Sequence, residues 1–279
     1  MATLNRKIGI APMTILELTP PEMVSVAAEA GYDFVGLRLV NATPEEPVRP
    51  TIGQTDLIRE TKQRLDDTGL EVVDIEILRL KPETNVRADF EAFFETGAFL
   101  GASQALIAGN DPQFSRLAEN YNELGLLAAE YGITPNLEPM PWTDIRSVAE
   151  AMDVMATVTH TNCGILVDAI HFDRSDATLD DLRAIPENLL HYMQLNDAPA
   201  EKPTSLDELL YQGRAHRFLP GLGGLDLIGL VNALPADLPI SLEAPVVASS
   251  HLPAIDRARE ALRVTKEFLT QPEITGRQK

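Results

Sequence analysis

Four residues from the middle of the sequence onward join hard oxygen chemistry to a common position. Glu138, Asp168, Gln194 and Glu243 each close a short stretch of strand character and stand directly before a loop: Ile133 to Glu138, Gly164 to Asp168, Tyr192 to Gln194 and Ile240 to Glu243. A carboxylate at the last position of a strand adds little to a core, but it is well placed to face a pocket at the carboxyl end of a sheet or barrel. Burying three carboxylates and an amide together is costly unless a cation pairs with them. Such a set suits a hard divalent ion, so Mn2+ or Mg2+ is the expected metal, with Co2+ and Zn2+ as further candidates. Structural zinc sites favour Cys and His, which this set lacks. Any one of the four could be a loop cap or an ion-pair partner, but four in succession point to a site.

Other residues could serve that site. His171 follows Asp168 in the run Asp-Ala-Ile-His, a spacing that lets a loop histidine turn back over the ion; the plain alternative is a surface histidine. Asn196 and Asp197, just past Gln194, could orient the ligands from behind. Arg214, His216 and Arg217 precede a glycine-rich turn, where an arginine can clamp a carboxylate, a phosphate or sugar hydroxyls. Trp142, the only tryptophan, could wall the pocket or pack in a loop. Glu76, Arg38 and Arg79 mark the ends of two earlier strands and are pocket candidates of a second tier.

The elements needed to position these residues alternate along the chain. Strands are expected at about 7–11, 33–38, 70–77, 104–108, 133–138, 163–168, 190–195 and 239–243. Helices are expected from Thr19 to Gly31, Thr55 to Thr68, Arg87 to Leu100, Ser115 to Tyr131, Asp144 to Thr157, Thr178 to Ile185, Leu225 to Leu234 and Leu252 to Leu269. Thr19 and Glu22 form a capping box at the first of them. The segment from Asn196 to Gly224 reads as turns, and 270–279 as a frayed tail. Eight strands alternating with eight helices predict an α/β fold, a single (β/α)8 TIM barrel spanning 1–279.

Composition narrows the partners. The chain has 279 residues, 44% of them hydrophobic, with a net charge of −19 and a pI near 4.6. A surface this acidic repels phosphate backbones and anionic membranes, so neither nucleic acid nor a membrane is expected as a partner. No window approaches the ~20 apolar residues of a membrane span, and the first residues lack the apolar run of a secretion signal. The single cysteine, Cys163, reads as a small core residue and allows no intrachain disulfide. A cytoplasmic location is the expectation.

Several segments together resemble a known family. Asn136-Leu-Glu-Pro139, Leu166 to His171, Met193 to Asp197, Arg217-Phe-Leu-Pro-Gly221 and Ser241-Leu-Glu243 are similar to segments of the sugar phosphate isomerase/epimerase family with its xylose-isomerase-like barrel. Ala30 to Arg38 fits the amino-terminal pattern, so the resemblance spans nearly the whole chain. It implies a divalent metal held by Glu138, Asp168, Gln194 and Glu243, a small carbohydrate or sugar-acid substrate, and a homo-oligomer. In ketose epimerases of the family two glutamates also exchange protons with the substrate carbon, and Glu138 and Glu243 match those positions. His171 matches a substrate-contacting histidine and Arg217 an arginine near the substrate hydroxyls. The third ligand, commonly histidine in the epimerases, is Gln194 here. The expected function is a metal-dependent isomerase or epimerase working through an enediolate. The alternatives are a dehydratase of a keto-inositol or keto acid on the same scaffold and, from another class, a non-catalytic sugar-binding barrel.

Overall fold

Strands in this chain bury apolar residues on one face and polar ones on the other, and the fold follows from that alternation. The computed structural model describes residues 6–275. Nine parallel segments form the sheet: β1 (Ile8–Ile10), β2 (Phe34–Arg38), β3 (Glu71–Leu80), β4 (Gln104–Gly109), β5 (Thr134–Glu138), β6 (Gly164–Ile165), β7 (Val167–Asp168), β8 (Met193–Leu195) and β9 (Ile240–Leu242). Their spatial order is β6-β5-β4-β3-β2-β1-β9-β8-β7. Since β6 and β7 are two pieces of one strand interrupted at Leu166, the ring all but closes, and the barrel fold expected from the sequence is present. Helices pack around it: α1 (Pro20–Ala30), α2 (Asp56–Thr68), α3 (Val86–Leu100), α4 (Phe114–Glu130), α5 (Val148–Met155), α6 (Ala169–Arg174), α7 (Leu179–Arg183), α8 (Leu206–Ala215), α9 (Leu227–Ala233), α10 (Ala254–Leu269) and α11 (Pro272–Thr275). Among the described residues, no helix is long and apolar enough to cross a membrane.

The alternation sorts the barrel into two environments. Val35, Leu37, Ile107, Leu137, Ile165, Met193 and Leu242 join the helices in the main apolar core. A second, smaller apolar cluster joins Ile77 of β3 and Leu106 and Ala108 of β4 to Met140, Leu166 and Tyr192, which flank other strands. The buried polar residues Asp74, Glu76, Asn136, Glu138, Gln194 and Ser241 lie on the inner side. Space inside is tight: a Cβ at Gly36 would lie 2.6 Å from Asp74 Oδ1.

Several boundaries differ from the sequence reading, each for a local reason. β3 runs on to Leu80, taking in Arg79, because a register shift between Ile75 and Leu78 lets the strand keep pairing with β4. α5 starts only at Val148. The Thr143 hydroxyl bonds the carbonyls of Met140 (2.9 Å) and Ile145 (2.7 Å), holding the preceding residues in a turn. β8 starts at Met193 because a single 3-10 turn occupies Glu187–Leu189. The turn-rich segment after Asn196 contains a helix, α8, whose stripe of Leu206, Leu209 and Leu210 stays exposed or half-buried, Gly213 being its only buried residue. The expected tail begins with α11, and 276–279 lie outside the described residues.

Candidate metal and catalytic centre

Each of the four strand-end residues is delivered to the carboxyl end of the barrel by its own strand, and all four are at most 4% exposed. Glu138 ends β5. Asp168 ends β7 and also caps α6, its Oδ1 accepting the backbone N–H groups of Ile170 (2.9 Å) and His171 (3.2 Å). Gln194 lies within β8, paired beside Asp168. Glu243 follows β9 and extends its ladder by donating its backbone N–H to the Leu195 carbonyl (3.1 Å).

These groups meet. Ligand atoms of Glu138, Asp168 and His171 lie within 4.8 Å of one another. Asp168 Oδ2 and Glu243 Oε2 both contact Arg217 Nη1, at 2.7 and 2.8 Å. Gln194 Nε2 donates to Glu243 Oε1 at 3.2 Å, which leaves Gln194 Oε1 buried without a partner. Glu138 Oε1 is likewise buried and unbonded. Two buried oxygens with nothing to accept from, near the close cluster of Glu138, Asp168 and His171, are what a divalent cation satisfies, so the donor set fits such an ion; Glu243 stands beside that cluster, tied to Arg217.

His171 is not the loop residue expected from its spacing. It sits in α6, 3% exposed, with Nε2 3.9 Å from Glu138 Oε1 and Nδ1 unpartnered. The capping bond that Asp168 accepts from the His171 backbone is what starts a helix there. Trp142 packs edge-on against the imidazole, with ring centroids 4.7 Å apart. Gly213 makes room for this pair, since a Cβ there would lie 2.4 Å from the indole.

Arg217 is fully buried and paired with Asp168 and Glu243, while its Nε donates to the Gly213 carbonyl at 2.7 Å. It therefore holds the carboxylates rather than lying free for substrate hydroxyls. Arg38 and Glu76 pair with each other, from Nε (3.0 Å) and Nη2 (2.8 Å), and Arg38 Nη1 also donates to Glu46 (2.8 Å). Asn196 donates to Asp168 Oδ2 (2.9 Å) and accepts from the Ile170 N–H (3.1 Å), bracing that carboxylate. Asp197 turns the other way and organises the glycine-rich turn, accepting from Gly221 (3.0 Å), Gly223 (2.8 Å) and Leu225 (3.1 Å). His216 stacks on Tyr211 and meets Phe218 edge-on.

Burial sets the proton affinities. It drives the Glu138 carboxyl well above the usual range, reinforced by the charges of Asp168 and Glu243. It also raises Glu243, to about 8, against the pull of Arg217. Asp168 stays below its ordinary value despite burial, because Arg217 and His171 offset it. Burial pushes the His171 imidazole down to about 4, so it is neutral at neutral pH.

The sequence reading passed over Asp74. Both its carboxylate oxygens are buried without partners, as are the hydroxyls of Tyr192 and Ser241. Its position two residues before Glu76, on the same strand face, was the available signal.

Comparison with known proteins bears on the fold. The sequence profile described as xylose isomerase-like TIM barrel matches residues 24–268. A 3-dehydroshikimate dehydratase of Pseudomonas aeruginosa is 25% identical over 253 residues, covering 84% of this chain; the chain spans only 35% of that protein's length. An inosose dehydratase of Glaesserella parasuis is 25% identical over 218 residues, 67% of this chain and 68% of its own. The crystal structure of a D-allulose 3-epimerase from Methylomonas sp. superposes with a TM-score of 0.67 at 18% identity, covering 95% of this chain and 98% of its own. The relatives are enzymes of more than one reaction class on one scaffold. The chain belongs to the xylose isomerase-like TIM barrel family.

Proposed function

We propose that the protein is a divalent-metal-dependent dehydratase of a small β-hydroxy ketone, cyclic like the dehydroshikimate and inosose named for its relatives. Glu138, Asp168, Gln194 and Glu243 would hold the metal, with His171 at the edge of the set. When bound, the ion acts as a Lewis acid that favours charge on the substrate carbonyl oxygen.

The observation that carries this reading is the unequal setting of the two glutamates. Among the described residues Glu138 pairs with no lysine or arginine, and its Oε1 faces the His171 imidazole at 3.9 Å. Glu243 is tied by Arg217 at 2.8 Å and by Gln194 at 3.2 Å. Elimination needs one base and one route for returning the proton. Glu138 removes the proton from the carbon next to the carbonyl, and the C–H electron pair becomes the enolate. Glu138, whose proton affinity burial raises, hands that proton on to the β-hydroxyl, and neutral His171 positions the leaving oxygen with an imidazole N–H. As the C–O bond breaks, water leaves and the new double bond forms. Trp142 and α8 cover the imidazole and keep bulk water from competing for the proton.

Epimerisation is the second reading, since Glu138 and Glu243 are both buried carboxyls of raised proton affinity. It requires Glu243 to be as free as Glu138. Turnover in D2O followed by NMR separates the two. Dehydration yields an unsaturated ketone and loses one hydroxyl; an epimer or isomer carrying deuterium would overturn the dehydratase reading.

A further inference from the structure

An amide ligand faces a choice that a carboxylate does not. Its two ends have nearly the same shape, yet only the oxygen has lone pairs to offer a cation; the NH2 group is a donor of hydrogen bonds. Gln194 is fully buried, so its protein neighbours decide which end turns toward the other ligands.

Two carboxylates flank its nitrogen. Nε2 lies 3.2 Å from Glu243 Oε1 and 3.5 Å from Glu76 Oε1, while Gln194 Oε1 has no partner. Turned over, the amide would set its oxygen against both carboxylates and strand its N–H groups. Glu243 is itself an expected ligand, so its oxygens are drawn to the ion. Glu76 is outside that set and is held from behind. Its Oε2 accepts from Arg38 Nε at 3.0 Å and Nη2 at 2.8 Å, and the two residues lie in register on β2 and β3. Arg38 Nη1 is held in turn by Glu46 at 2.8 Å. Glu46 Oε2 also accepts the Ala42 N–H at 3.2 Å, tying down the loop that supplies it. A carboxylate paired with a guanidinium in this way only accepts hydrogen bonds.

We infer that Glu76, fixed by Arg38, is a positioning residue that turns the Gln194 amide so that its oxygen faces the metal. This rests on the metal centre of the proposed function and not on the elimination step. Glu76 then acts through Gln194, touching neither ion nor substrate.

Calorimetric titration of Mn2+ into the chelator-treated, full-length protein tests this without turnover. Glu76→Gln keeps the shape of the side chain but adds an NH2 group that can donate to Gln194 Oε1, so the amide loses its reason to face one way. The Mn2+ dissociation constant should rise about 10–100-fold. The same change made on top of Gln194→Ala should add less than about twofold, because the group being positioned is gone. An equal loss in both backgrounds would make the role of Glu76 merely structural and overturn the inference. Wild-type affinity in Glu76→Gln would overturn it too, leaving the metal centre standing. Neutron diffraction from metal-free, deuterated wild-type crystals reads the amide itself and needs no variant to fold. The two deuterons should sit on the Gln194 atom nearest Glu76; deuterons on the opposite atom would overturn the inference. Wild-type protein that binds no Mn2+ would sink the metal centre and this inference together. Mn2+ binding that depends on Glu76 and Gln194 jointly, in a protein that dehydrates nothing, would support the positioning and sink only the reaction.

Discussion

At the scale of single residues, Glu138 and His171 divide the chemistry. Glu138 has a buried, unbonded oxygen and a raised proton affinity. Glu138→Gln, assayed at saturating metal, should lower kcat by about 10²–10⁴-fold with an unchanged far-UV spectrum; wild-type kcat would remove Glu138 from the proton path. His171 makes a separate prediction about acid stability. Its folded value, about 4, lies below the ordinary 6.5, so as pH falls the unfolded chain takes up the proton first. The stabilising contribution is complete above about pH 6.5 and is lost as pH falls toward 4, amounting to about 3 kcal/mol. In chelator-treated protein the raised values of Glu138 and Glu243 add an opposite slope, a gain as pH falls, so the His171 loss is read as the difference between wild type and His171→Asn in urea titrations from pH 7 to 4. An unchanged slope in the variant would show that the imidazole is not held neutral.

Elements explain which residues were legible in sequence and which were not. Strand alternation put Glu138, Asp168, Gln194 and Glu243 on one face, because a buried strand has few alternatives once its apolar side is chosen. The break at Leu166 left no mark in the pattern, since Leu166 is apolar and merely changes which neighbour it bonds. His171 was expected in a loop, either over the site or on the surface; it lies beside Glu138 and Asp168, but in a helix that Asp168 itself caps, which spacing alone does not reveal. α8 was missed although Leu206, Leu209, Leu210 and Gly213 recur at helical spacing behind the Ser205 cap, because the prolines and glycines on either side read as turns. Asp197 was taken as a support for ligands, yet it knits the turn at 219–225 to the end of β8. Asp197→Ala leaves several loop N–H groups without their acceptor, so chemical denaturation should show a loss of about 2–4 kcal/mol. A change below about 0.5 kcal/mol would mean that the turn holds itself.

For the whole molecule, the barrel was legible because eight apolar runs separated by amphipathic segments leave few other ways to bury both faces of a parallel sheet. What the chain does with that barrel depends on contacts between residues far apart in sequence. Arg217 joins Asp168 and Glu243, and Gln194 reaches both Glu243 and, at 3.5 Å, Glu76. No local pattern carries such pairings, so the strand ends could be located while their partners could not. The net charge of −19 places these acids in an already negative molecule, which strengthens the demand for a cation among them.

Anomalous diffraction from Mn2+-soaked crystals reads that demand directly. A single peak inside the barrel mouth, within about 2.0–2.6 Å of oxygens from Glu138, Asp168, Gln194 and Glu243, is the expected result. A barrel mouth without a peak, or an ion that touches none of these four side chains, would contradict the shared metal centre.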